Sequence, residues 1–221
     1  MRPTISSFVF PISIFVAAFF SFGWTSSWDS IQAAADRVET VRAEFTQEKH
    51  LPILKKPLIS TGSFAYADPG SLRWEYVKPV RSILLMHDGE TRRFLESEGQ
   101  LVPDRSAGLQ AMSVVMDQIT AWLKGRFDDN PMFAAELADG GKIVLTPTAE
   151  GMAKLIKKIE LQLAAEPGAI DTVTIYEDET AFTRLVFQNL RINPQLDEAL
   201  FQEAAAFQEA AAFQEAAPND A

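Results

Sequence analysis

The side chains of this sequence that could do chemistry are few, and their spacing argues against most of it. There are two histidines, His50 and His87, and no cysteine. A transition-metal site needs three or four nitrogen, sulfur or carboxylate ligands drawn together, and neither histidine belongs to a His-x-x-x-His pair. Serines are plentiful, but no Gly-x-Ser-x-Gly turn raises one as a nucleophile, and two histidines leave little choice of general base. No glycine-rich loop of the phosphate-cradling kind is present. Asp88, Asp128 and Asp129 follow strand or helix ends and read as solvated turn residues. The chain is therefore read as non-enzymatic, with no metal and no cofactor.

What the sequence does supply is apolar surface in strict alternation. Leu72, Trp74 and Tyr76 fall on one side of a strand whose other side carries Arg73, Glu75 and Val77. A face of that kind needs a partner, a lid or a ligand. A second apolar stripe runs at helical spacing through Leu109, Met112, Val115, Met116, Ile119, Trp122 and Leu123, with Gly125 placed to cap its end. Methionine adapts to irregular or changing neighbours. Facing each other, the two stripes would enclose a pocket lined by Phe64, Leu72, Trp74, Tyr76, Phe94, Met112, Met116, Ile119, Trp122 and Leu123. The same residues would equally fill a closed barrel core, and residue types alone leave both open.

These side chains must be held by the elements around them. Ile31, Ala34, Ala35 and Val38 recur at helical spacing over 29–40, with Ser27 or Asp29 as the N-cap. Near Thr40 the period changes from 3.6 to 2, and Val41, Ala43, Phe45 and Gln47 begin a sheet. Further strands are expected over 58–66, around Trp74, over 81–87 and over 91–96, the last two joined by the hairpin signal Asp88-Gly89. After a helix over 106–124, strands resume at 133–137, 142–146, 156–163, 170–177 and 182–190. Short turns between consecutive strands make an antiparallel meander. About nine or more one-sided strands curl strongly, so the expected fold is α+β: an incomplete, half-open antiparallel β-barrel with a helical lid over a hydrophobic cavity.

The ends and the charge set the context. A predominantly apolar run from Phe8 to Phe22 follows Arg2, too short for a bilayer span, so 1–27 reads as a signal peptide cleaved near Trp24 to Trp28. Residues 28–199 suffice for one domain with one core. Without cysteine the exported chain can be neither disulfide-bonded nor lipidated, which suits a soluble protein of a bacterial periplasm, acting as a monomer. A formal charge of −10 disfavours nucleic acid and anionic membrane as electrostatic partners, and no basic stripe is visible in the sequence. Residues 200–221 repeat Phe-Gln-Glu-Ala-Ala with phenylalanines at 201, 207 and 213. A six-residue step turns a helix by about 240°, so the rings form no stripe, and the repeat reads as an appendage.

Phe45-Thr46-Gln47, then Gly62-x-Phe64, then Leu72-x-Trp74-x-Tyr76-x-x-Pro79, followed by Asp88-Gly89, Leu145-Thr146-Pro147 and Asp171-x-Val173-x-Ile175, resembles the outer-membrane lipoprotein carrier (LolA) family across most of the chain. The resemblance implies a half-barrel with a helical lid, whose cavity takes the acyl chains of lipoproteins. It implies as partners acylated lipoproteins, an inner-membrane ABC-type exporter as donor and an outer-membrane acceptor. In the family a basic residue before the proline that precedes the tryptophan strand bonds lid-helix carbonyls. Here Asp68 precedes Pro69, so the latch must differ, with Arg73, Arg81 or Arg92 as substitutes. A periplasmic lipid or glycolipid carrier, or an envelope-stress sensor domain, is the alternative on the same fold.

Overall fold

The change of period at Thr40 is where the sheet begins. In the computed structural model, which describes residues 27–104 and 118–202, α1 (Trp28–Ala35) leads into β1 (Thr40–His50). Ser27 caps α1 in a reciprocal box: its hydroxyl accepts from the Ser30 amide at 3.2 Å, while the Ser27 amide donates to Ser30 Oγ at 2.9 Å. The helix ends earlier than 40 because its C-cap is already Asp36 and the chain must extend to pair.

The meander continues through β2 (Leu58–Ala67), β3 (Ser71–Lys78), β4 (Ser82–His87), β5 (Glu90–Ser97) and β6 (Gln100–Pro103). A second meander contains β7 (Phe133–Ala138), β8 (Lys142–Pro147), β9 (Lys158–Leu163), β10 (Ile170–Tyr176) and β11 (Phe182–Ile192). β1 pairs with β11, which fuses the two into one eleven-stranded antiparallel sheet in the order β6-β5-β4-β3-β2-β1-β11-β10-β9-β8-β7. β6 and β7 remain its edges, so the barrel is not closed. Three helical segments complete the described elements: α2 over 118–123, α3 (Glu150–Ala153) and α4 (Ala199–Gln202). β6 is absent from the sequence reading, because Gln100-Leu101-Val102-Pro103 is too short for alternation to register. The Asp88-Gly89 turn has φ of 51° and 76°, the double positive that a type I′ hairpin needs. The signal segment, its cleavage point, Met112, Met116 and the last repeats of the tail lie outside the described residues.

The concave face carries the main core, from Val41 and Phe45 across Tyr66, Leu72 and Trp74 to Ile143, Leu145, Ile159 and Leu161. The convex face has its own cover over β3 to β5. There Arg73 and Glu75 are 3% and 2% exposed and joined by two hydrogen bonds of 3.0 and 3.1 Å to Glu75 Oε2. Arg73 Nη1 also donates to the Leu200 carbonyl at 3.1 Å, and Arg92 Nη2 to the Gln202 carbonyl at 2.8 Å. Between these two anchors Phe201 is only 2% exposed. The first phenylalanine of the repeat is thus part of the fold, and the folded unit runs past the 199 boundary to Gln202 at least.

Gly62 has a specific steric duty. It faces Tyr76 at a register shift between β2 and β3, and a Cβ there would collide with the Glu75 carbonyl oxygen and stand 2.6 Å from the Phe45 ring. Gly62→Ala is expected to cost about 3 kcal/mol of stability, read as a lowered urea midpoint; an unchanged midpoint would contradict the packing described.

Candidate functional site

Antiparallel register places Trp74 beside Phe64 of β2 and Leu84 of β4, and the missing side chain at Gly62 admits the ring of Phe45. An aromatic floor results. Phe45 and Trp74 have ring centroids 4.9 Å apart, Phe45 meets Tyr76 edge-on at 5.2 Å and Phe64 meets Trp74 edge-on at 5.5 Å. Phe187 of β11 extends the floor, 6.2 Å from Trp74 and 6.1 Å from Phe64. These tilted and edge-to-face contacts fix the rings against one another.

Above the floor the sheet curls into a cavity of about 510 Å³, a volume within the range of small-molecule sites. Ile119, Trp122 and Leu123 of α2 roof it, and Ile159, Val173, Ile175 and Leu185 form the far wall. Arg93 is the only charged lining residue among the described ones, and its guanidinium is tied to Asp104 at 3.2 Å. The Tyr76 hydroxyl donates to Gln47 Oε1 at 2.7 Å, and burial pushes its ionisation above the ordinary tyrosine range, so it stays neutral. Neither the Trp74 nor the Trp122 indole N–H has a hydrogen-bond partner among the described residues. A surface so apolar can hold hydrocarbon.

Of the residues read from the sequence, Phe64, Trp74, Tyr76, Ile119, Trp122 and Leu123 line this cavity. Leu72 does not; it is fully buried in the core beside it. Phe94 does not either. Its register partner is Ile83, itself opposite Glu75, so strand phase puts it on the convex face and Arg93 on the concave one. Met112 and Met116 lie outside the described residues. Phe187, Leu185, Val173 and Ile175 were missed, although the alternation Thr183-Leu185-Phe187 could have marked the concave side of β11. The two histidines stand at opposite ends of the sheet: His50 stacks on Phe182 at 4.2 Å, and His87 Nδ1 lies 2.8 Å from Ser71 Oγ.

The roof is held by a contact that the sequence did not reveal. α2 ends in a Schellman arrangement, with Gly125 at φ +69°, its amide donating to the Trp122 carbonyl and the Arg126 amide to the Ala121 carbonyl. That turn aims Lys124 at the sheet, where its ammonium meets Asp68 Oδ1 at 2.7 Å. Tyr66 donates to the same carboxylate oxygen at 3.3 Å, and burial, followed by the Asp68 charge, raises the phenol's ionisation well above its usual range. The latch is therefore an acid on the sheet and a base on the lid. Arg73 and Arg92, offered as substitutes, are engaged on the convex face by α4, and Arg81 lies 3.8 Å from Glu75.

A family model described as outer membrane lipoprotein carrier protein LolA matches residues 36–204. An outer-membrane lipoprotein carrier protein of Dechloromonas aromatica is 29% identical over 184 residues, covering 79% of this chain and 81% of that protein. One of Methylococcus capsulatus is 26% identical over 191 residues, covering 80% and 83%. Among solved structures, a DUF1329 family protein from Desulfovibrio piger superposes with a TM-score of 0.46 at 12% identity, over 81% of this chain and 96% of that one.

The Lys124–Asp68 pair is partly exposed, at 19% and 40% of the side chains, so it holds the lid by at most about 1 kcal/mol. Lys124→Ala and Asp68→Asn should each speed uptake of an apolar fluorophore by up to about fivefold, and the exchanged pair Asp68→Lys with Lys124→Asp should restore the slower rate. Stopped-flow fluorescence reads this; unchanged single variants would exclude the latch.

Proposed function

Because the chain belongs to the outer membrane lipoprotein carrier protein LolA family, we propose that it is a periplasmic shuttle that holds the acyl chains of lipoproteins in the cavity beneath α2. The observation that carries this reading is the cavity itself: a floor of Phe64, Trp74, Tyr76 and Phe187, a lid of Ile119, Trp122 and Leu123, and one charged lining residue already paired. Each methylene removed from water contributes about 0.8 kcal/mol, so a dozen give roughly 10 kcal/mol before the costs of opening the lid and ordering the chain. No bond is made or broken. Cargo leaves the bilayer by work done at an inner-membrane ABC-type exporter, and passes to an outer-membrane acceptor whose site competes for the same hydrocarbon.

Reversibility follows from the lid. Trp122 and Leu123 are 7% and 8% exposed, so opening the roof would bring its own apolar side chains into water unless cargo covered them. The carrier thus exchanges one apolar contact for another, and the weak charged latch keeps that exchange near balance.

Chain beginning at Ser27, which contains every described element, is to be added to spheroplasts synthesising an outer-membrane lipoprotein. The expected result is release of the lipoprotein into the supernatant as an equimolar complex, reduced at least about tenfold by Ile119→Glu, a change that places an unpaired charge in the cavity. No release, with tight binding of free phospholipid, would replace the lipoprotein reading by a lipid carrier or sensor.

A further inference from the structure

The pairing of the strands gathers onto one end of the sheet segments that are far apart in sequence. Lys49 pairs with Leu58 and His50 with Phe182, Thr61 with Lys78, and Tyr176 with both Phe182 and Lys158. The β1–β2 tip at 51–57, the β3–β4 turn, the approach to β9 and the β10–β11 turn therefore share one rim. On it lie nearly all the large apolar side chains left in solvent among the described residues: Ile53 is 87% exposed, Leu155 68%, Val80 64% and Leu58 53%, with Leu54, Ile59 and Val77 also exposed. Interleaved with them are exposed Lys55, Lys56, Lys78, Lys154 and Lys157. Of the acids at this end of the sheet, Glu177 pairs with Lys49 at 3.3 Å, Glu48 with His50, and Asp178 accepts the Thr180 and Ala181 amides, while Glu179 and, at the β5–β6 turn next to Arg81, Glu96 and Glu98 are exposed.

A chain of net −10 thus presents, at the β1–β2 tip over 51–57, a cationic and apolar projection that contains no acid. The sequence showed no basic stripe because these lysines are spread over more than a hundred positions; the fold makes the stripe. The tip Leu51-Pro52-Ile53-Leu54-Lys55-Lys56-Pro57 is a protruding turn and not a recess, with apolar side chains at its crest and lysines beside them. That arrangement suits a surface that is soft, apolar a few ångströms down and anionic on top. The same end of the sheet carries the cavity residues Gln47, Tyr76, Ser82, Ile175 and Thr183.

We propose that this rim docks on an anionic phospholipid surface, with Ile53 and Leu54 of the β1–β2 tip entering the head-group layer and the surrounding lysines binding the phosphates. Its bearing on cargo rests on the carrier reading: the rim would set the cavity's end against the leaflet from which an acyl chain comes or into which it goes. Lipid contact itself does not depend on that reading.

The test is co-sedimentation of chain beginning at Ser27 with vesicles of phosphatidylethanolamine and phosphatidylglycerol, with fluorophore uptake into the cavity measured on the same samples. Expected are binding weakened by salt, little binding to phosphatidylcholine alone, and at least a tenfold loss, roughly, in Ile53→Asp/Leu54→Asp and in Lys55→Glu/Lys56→Glu. Both hairpin variants should retain fluorophore uptake, and Ile119→Glu should retain vesicle binding. Equal binding to phosphatidylcholine, or unchanged binding by both hairpin variants, would overturn the proposal. So would loss in Ile119→Glu, which would mean that lipid is held in the cavity. Vesicle binding unaffected by the hairpin changes while lipoprotein transfer falls would assign the tip to a protein partner instead. Intact vesicle binding by a protein that takes up no fluorophore would count against the carrier reading and leave the docking rim standing.

Discussion

An open sheet with one apolar face has to be covered without being filled. That constraint organises the rest of this structure. Eleven strands of right-handed twist curl far enough to make a trough, but β6 and β7 stay unpaired with each other, so no closed wall squeezes the interior shut. The aromatic floor is pinned by ring contacts between Phe45, Phe64, Trp74, Tyr76 and Phe187, and by the glycine at 62 that gives Phe45 its place. Rigid rings below and the helix α2 above leave the space between them as the adaptable part.

The two faces of the sheet are covered by different means, in keeping with different duties. On the convex side, Arg73 and Glu75 are buried together, and both arginine anchors of α4 reach main-chain carbonyls on either side of Phe201. Breaking such a buried pair leaves an uncompensated charge and costs about 3–5 kcal/mol, so that cover is built to stay. On the concave side the lid has apolar contact and one partly exposed ion pair, Lys124 with Asp68. An ion pair of that kind is weak in water and yields easily. The structure is therefore stiff behind the cavity and loose in front of it.

Much of this was legible in the sequence, because period 2 is a direct consequence of one-sided burial. Leu72-Trp74-Tyr76, the switch at Thr40, the Asp88-Gly89 hairpin and the Gly125 cap all appear where residue types place them. Three things were not legible, for physical reasons. Alternation assigns a residue to a face only relative to its neighbours, so Phe94 was put on the cavity side until register with Ile83 set its phase. Partners across long separations carry no local signal, which hid the Asp68–Lys124 latch and the hold of Arg73 on the Leu200 carbonyl. The lysines of the hairpin rim are dispersed in sequence and become neighbours only through the pairing of β3, β2, β1, β11, β10 and β9. The repeat tail misled in the same way: its three phenylalanines share no helical stripe, yet the first needs no stripe to fill a pocket alone.

The central claim is that the trough between the aromatic floor and α2 is where the acyl chains of a lipoprotein lie. Its most direct test places a photoreactive benzoylphenylalanine at Phe187, deep in the floor, and irradiates complexes formed with an acylated lipoprotein or with the same cargo lacking its lipid-bearing cysteine. The account predicts a crosslink whose mass includes the acyl moiety in the first case and none in the second. Equal crosslinking of both cargoes, through polypeptide alone, would contradict it.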